Sequence, residues 1–281
     1  MFYGIIILLL SHMSRAYRWK YMLEPLGYKP RFWVMYHSVM IGYLINLTIP
    51  RSGEVARAGY YAKFEKDASF NKVFGTIIVE RVIDMLMLGI VLMITIYLQK
   101  DIDTFNDISE KGKTSSSMPS WIYYTVAGGV ILGIALVIFL PKLREKVINL
   151  IKGIFEGIKT IIQLKQRTAY IAHTLFIWTC YVGMIWVCSF ALPETSNLNL
   201  SAVFAAFTVG GIAISATPGG IGLYPLMVSA VLSNLYNIEN AGSFSMLAWA
   251  ALTAFTIIVG LISLFILPFI GKKEQQTSSL S

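Results

Sequence analysis

The sequence predicts an all-α fold: a polytopic transmembrane helical bundle with two broken or re-entrant helical hairpins and a basic amphipathic surface helix. Three observations predict it. Of 281 residues, 56% are hydrophobic and only 14% charged, far too little charge to cover a soluble domain of that size. Several apolar runs approach or exceed the ~20 residues that cross a ~30 Å hydrocarbon core. Two of these runs end in proline and glycine and are followed by a second helical stretch. No intervening segment is long enough for a separate soluble domain, so 1–281 reads as a single integral membrane domain.

Met1 to Met13 is apolar, has no positively charged leader and is followed by Arg15, Arg18 and Lys20. It therefore reads as the last two thirds of a spanning helix, short or preceded by another, and not as a signal peptide. Phe32 to Ile49 is an apolar run that stops at Pro50; Arg51, Gly53, Glu54 and Arg57 follow at once, and a mixed segment extends to Lys72. Gly75 to Leu98 is a long apolar helix carrying Glu80, Arg81 and Asp84. Residues 99–120 are polar with a serine run and are expected to form a mobile outside loop. Trp121 to Leu140 spans, with Gly129 and Gly133 spaced for close helix packing.

Pro141 to Arg167 has a different pattern. Leu143, Val147, Ile151, Ile154, Ile158 and Ile161 recur at spacings of three and four, while seven lysines and arginines between 142 and 167 mostly take the other faces. This predicts a basic amphipathic helix on the membrane surface, held by about 1 kcal/mol per basic residue near anionic lipid. The other reading is a helix packed on a neighbouring protein element. Thr168 to Leu192 spans again. Leu200 to Thr217 runs to Pro218, Gly219, Gly220 and Gly222, Leu223 to Tyr236 returns, and Phe244 to Phe269 precedes a polar tail at 271–281.

Basic residues favour the cytoplasmic side. If every run is a simple crossing from a cytoplasmic 14–31 loop, twelve lysines and arginines fall outside against eight inside. If residues 32–64 enter and return on the same side, the count becomes seventeen cytoplasmic against three outside, with Arg51, Arg57 and Arg81 at membrane depth. The second hairpin, Leu200 to Tyr236, then starts from the opposite side. Such inverted interrupted helices meet around the substrate site in transporters. A straight run from residue 32 to 49 would reach about 27 Å, so a mid-membrane Pro50 requires a tilt or a break, with Gly42 as the candidate.

Four segments carry a family resemblance: Ser14 to Trp19, Pro50 to Arg57, Val79 to Asp84, and Pro218 to Gly222. In order and spacing they resemble the lysylphosphatidylglycerol synthase transmembrane region family, also called flippase-like proteins. The resemblance implies a helical bundle that moves a lipid or lipid-linked headgroup between leaflets, in a multi-pass protein of a bacterial plasma or inner membrane. The best understood relatives add a soluble aminoacyl-transfer domain that this sequence lacks, so synthase activity is not carried over. Many relatives place a basic and an acidic residue just after Pro-Gly-Gly, where this chain has Leu223, Tyr224 and Pro225. The resemblance therefore does not name the headgroup.

Each charged side chain in a membrane helix costs at least about 2.5–3.5 kcal/mol on insertion scales, so Glu80, Arg81 and Asp84 require partners. Glu80 and Asp84 share a face and Arg81 can pair with Asp84, which leaves one carboxylate to face Arg51 or Arg57. In the functional reading, Arg51 and Arg57 grip a lipid phosphate. Glu54, Glu80 and Asp84 neutralise them when the site is empty, or hold a cationic headgroup; Arg81 completes the substrate-binding set. Pro50, Gly53, Pro218, Gly219, Gly220 and Gly222 make the hairpin breaks. In the structural reading the same groups only pin the hairpin.

Cys180 and Cys188 read as small buried hydrophobes, and His12, His37 and His173 do not make metal spacing. The sequons at Asn46 and Asn199 read as chance. No nucleophile-and-base arrangement, phosphate loop or nucleic-acid module is found, so no enzyme activity, cofactor or nucleic acid is expected. The net charge of +8 belongs to the cytoplasmic membrane surface. The function expected is a lipid flippase or transporter. The alternatives are a scaffold that presents lipid to a separately encoded lipid-modifying enzyme, and a membrane-embedded transferase. Expected partners are a membrane phospholipid, anionic in character, that separate enzyme, and a second copy of the chain.

Overall fold

The computed structural model describes residues 2–49, 52–65, 67–99 and 141–277, with side chains apart from those of 141–144, 146–151, 154 and 271–277. Among the described residues the chain is helical with no strand: α1 (Phe2–Leu23), α2 (Phe32–Thr48), α3 (Gly53–Phe64), α4 (Phe70–Leu98), α5 (Pro141–Gln163), α6 (Arg167–Ser189), α7 (Leu200–Ala216), α8 (Leu223–Tyr236) and α9 (Ala241–Thr277). Pro50, Arg51, the expected loop at 99–120 beyond Gln99, and the expected span Trp121 to Leu140 lie outside the described residues.

Among the described residues two helices, over Arg167–Ser189 and Ala241–Ile270, are long and apolar enough to cross a membrane. Large apolar side chains on α4 and α9, among them Met93, Ile96, Ile258 and Phe265, point outward. Such a surface suits hydrocarbon and not water.

The expected helix pairs on either side of each break are present. α2 packs on α3 and α7 on α8; α9 packs on both α2 and α8, and α1 lies along α6 and against α2. The α2–α3 pair is brought to backbone contact by two glycines. A Cβ on Gly42 would stand 2.8 Å from the Gly53 carbonyl oxygen, and one on Gly53 would overlap Gly42. Helix α2 is continuous through Gly42, which corrects the expected break there: the missing side chain serves the close approach. Asn46 Oδ1 accepts from the Gly53 N–H at 3.1 Å, satisfying one orphan donor of the α3 N-terminus.

The second break is a turn with Gly219, Gly220 and Gly222 at φ 59°, 72° and 72°, a region that favours glycine. Trp249 Nε1 on α9 donates to the Gly219 carbonyl at 2.9 Å. A Cβ on Gly219 would strike Leu47 near the end of α2. The two breaks thus approach one another. After the second, Tyr224 is buried and its ring lies against Gly210, so this position is an apolar packing site.

Three boundaries differ from the sequence reading. The basic residues after Met13 do not begin a loop, since α1 continues to Leu23 and buries Arg15 and Arg18. Hydropathy ends the run there because it has no knowledge of partners; removing two from the seventeen cytoplasmic cations leaves the charge asymmetry large. The polar tail begins as helix, with α9 reaching Thr277. The amphipathic segment is helical to Gln163, and one side of it packs on protein: Gly157 faces Val82 of α4 while Ile161 is buried. Lys152, Phe155, Lys159 and Ile162 are exposed.

Candidate functional site

Helix α1 carries Arg15 and Arg18 at i, i+3, and α4 carries Glu80 and Asp84 at i, i+4, so each pair projects from one face. The two faces meet. Arg15 Nη1 donates to Glu80 Oε1 at 2.7 Å and to Asp84 Oδ2 at 2.9 Å. Arg18 Nη2 donates to Glu80 Oε1 at 2.9 Å and to Asp84 Oδ1 at 3.1 Å. From α3, Arg57 Nη2 donates to Glu80 Oε2 at 2.9 Å. One carboxylate thereby joins three arginines on two helices, and Arg18 and Glu80 are at most 1% exposed.

Aromatic and hydroxyl groups complete the cage. Arg57 Cζ lies 3.9 Å from the Trp19 ring centroid, a cation–π contact worth about 2 kcal/mol when desolvated. Trp19 Nε1 donates to Thr76 Oγ1 at 2.9 Å, which fixes the ring. Arg18 Nη1 donates to Thr174 and Arg15 Nη2 to the Tyr181 hydroxyl, both on α6. The Nε–H groups of Arg15, Arg18 and Arg57 have no protein partner among the described residues.

At the edge, Arg81 Nη2 and Glu54 Oε1 stand 2.9 Å apart, with side chains 40% and 21% exposed. Arg81 also pairs with Asp84 at 4.0 Å, as helical spacing predicts, but Glu54 is its closer partner. Tyr43, Asn46, Gly53, Glu54, Arg57 and Arg81 line a small recess between α2, α3 and α4.

The structure therefore brings together Glu54, Arg57, Glu80, Arg81 and Asp84. Arg57 is the arginine that meets the leftover carboxylate; Arg51 lies outside the described residues. Arg15 and Arg18 are the residues the charge reading missed. Their signal was the i, i+3 spacing within Ser14 to Trp19, which the topology count assigned to a loop. Among the described residues, four guanidinium groups of this network meet three carboxylates.

The three histidines sit inside the bundle. His12 is buried against Tyr43 and Phe255, His37 Nδ1 is 2.9 Å from Ser263 Oγ, and His173 Nδ1 is 2.8 Å from Ser14 Oγ. Cys180 and Cys188 are free thiols. Asn199 caps α7 by accepting from Ala202 N–H at 2.8 Å.

The family described as the lysylphosphatidylglycerol synthase TM region matches residues 2–260. The chain belongs to this family. Like its relatives it is an integral membrane protein. It is 28% identical over 230 residues to UPF0104 membrane protein MJ1078 of Methanocaldococcus jannaschii, covering 76% of this chain and 89% of that protein. It is also 25% identical over 296 residues to glycosyltransferase AglD of Haloferax volcanii, covering 92% of this chain and 47% of that protein. The chain thus spans about half the length of that second relative. No solved structure matches it.

Proposed function

We propose that this member of the lysylphosphatidylglycerol synthase TM region family moves a phospholipid or lipid-linked headgroup between the leaflets of the cell membrane. The observation that carries the proposal is the arginine network. Four guanidinium groups and three carboxylates are gathered at the junction of the first helix pair with α1 and α4, leaving one positive charge for an anionic headgroup. Buried ionisable groups in membrane helices mark substrate paths, and guanidinium is suited to phosphate.

In this reading the two helix pairs are re-entrant, with their breaks meeting inside the membrane. The contact of Gly219 with Leu47 supports it. The cytoplasmic face carries α5, whose exposed Lys152, Phe155, Lys159 and Ile162 rest on anionic lipid.

The test is transport of labelled lipid by purified protein alone in liposomes. Wild type is expected to move lipid, and Arg57→Gln and Glu80→Gln to reduce the rate. Full rates in both folded variants would remove the network from the transport path.

One observation favours a second reading. The Haloferax volcanii relative is a glycosyltransferase of which this chain spans 47%. A membrane unit that presents lipid to a separately encoded enzyme would fit that division. Transport that requires an added partner protein would favour it.

A further inference from the structure

Glu54 is the least tied carboxylate of the network. Arg15 and Arg18 are held by Glu80 and Asp84 and Arg57 by Glu80, whereas among the described residues Glu54 pairs with Arg81 alone and its Oε2 has no partner. The same recess is lined by Arg57, which is 4% exposed and has an unpartnered Nε–H. The free space there is no more than one water occupies, so an oxyanion fits only where the Glu54 carboxylate now lies. Carboxylate and phosphate present the same acceptor geometry to a guanidinium fork. With Glu54 in place four guanidinium groups meet three carboxylates; with it displaced they meet two. Glu54 also occupies the first turn of α3, where the helix dipole favours any anion that replaces it.

We propose that Glu54 is a built-in counter-anion, and that a phosphate oxyanion displaces it from Arg81 and binds Arg81 and the Arg57 Nε–H. The inference rests on the lipid-transport reading and deepens it: the displaced state has room for two negative charges, which favours a phosphomonoester or diphosphate headgroup over a phosphodiester.

Native mass spectrometry of the full chain in detergent tests it, with phosphatidic acid, phosphatidylglycerol and phosphatidylcholine as probes and inorganic phosphate as competitor. Glu54→Gln is expected to tighten phosphatidic acid about tenfold and Arg81→Gln to weaken it about tenfold, the size of one charge-assisted contact. Phosphatidylglycerol should respond less and phosphatidylcholine not at all. Glu24→Gln, which removes the same charge from the half-buried Lys20 pair outside the network, should change nothing.

Unchanged phosphatidic acid binding in Glu54→Gln overturns the proposal, as does an equal gain in Glu24→Gln. If Glu54→Gln does not fold, Glu54→Asp, which draws the carboxylate back, should shift binding the same way, and no shift overturns the proposal. Inorganic phosphate that binds with the same variant pattern and expels the lipid supports the exchange and makes free phosphate its source. Liposome transport is scored separately. The binding pattern without transport removes the transport reading alone, and transport without the pattern removes the exchange alone.

Discussion

Glu80 Oε2 accepts a hydrogen bond from Arg57 Nη2 at 2.9 Å, while its Oε1 serves Arg15 and Arg18 of a different helix. This carboxylate is the bond between the first helix pair and α1. Glu80→Gln would leave three buried guanidinium groups short of one charge, and breaking such a pair costs about 3–5 kcal/mol. The expected outcome is a large fall in the denaturation midpoint in detergent. A double-mutant cycle of Arg57→Gln with Glu80→Gln should give a coupling of about 0.5–3 kcal/mol. Strict additivity would mean that the two side chains do not communicate.

The Gly42 and Gly53 contact predicts a position-specific steric effect. Gly42→Ala places a methyl 2.8 Å from a backbone oxygen that cannot rotate away, and overpacking of this kind costs about 1–3 kcal/mol. Gly59, in the same helix pair, has nothing within 4 Å of where a Cβ would stand, and Gly59→Ala should be neutral or stabilising by about 1 kcal/mol through helix propensity. Comparing their unfolding midpoints checks both; equal effects would argue against backbone contact at Gly42.

Trp249 ties α9 to the second break through the Gly219 carbonyl. Trp249→Phe keeps an aromatic ring but removes the N–H together with part of the indole, so stability should fall by at least about 0.5–1.5 kcal/mol. Faster hydrogen exchange is expected over 217–223, with α6 unaffected. Exchange unchanged at 217–223 would show that this bond does not hold the turn.

The depth of the first break can be read by labelling. In a background with Cys180 and Cys188 replaced by alanine, Arg51→Cys is expected to react slowly with a membrane-impermeant maleimide from either side of the membrane. Rapid labelling from the cytoplasmic face would place Arg51 and the first break at the surface and remove Arg51 from the site.

Much of the helical order was legible from residue pattern alone. Phe32–Thr48, Leu200–Ala216 and Leu223–Tyr236 lie where apolar runs meet proline and glycine, because local hydropathy and backbone freedom decide where a helix can start and stop. The composition of the network was legible in part. Glu54, Arg57, Glu80, Arg81 and Asp84 announce themselves as charges in or beside apolar helices.

Who pairs with whom was decided by tertiary structure. Arg15 and Glu80 are 65 residues apart and Arg57 and Glu80 are 23 apart, and hydropathy sums transfer free energies without any term for a distant partner. That omission turned Arg15 and Arg18 into a loop and left Glu54, the closer partner of Arg81, out of the expected pairing. The sequence by itself determined where helices break and which charges must be compensated, since both follow from local chemistry. Only the packing of α1, α3 and α4 decided which carboxylate each arginine meets, because a buried charge is stabilised by geometry that no single segment contains.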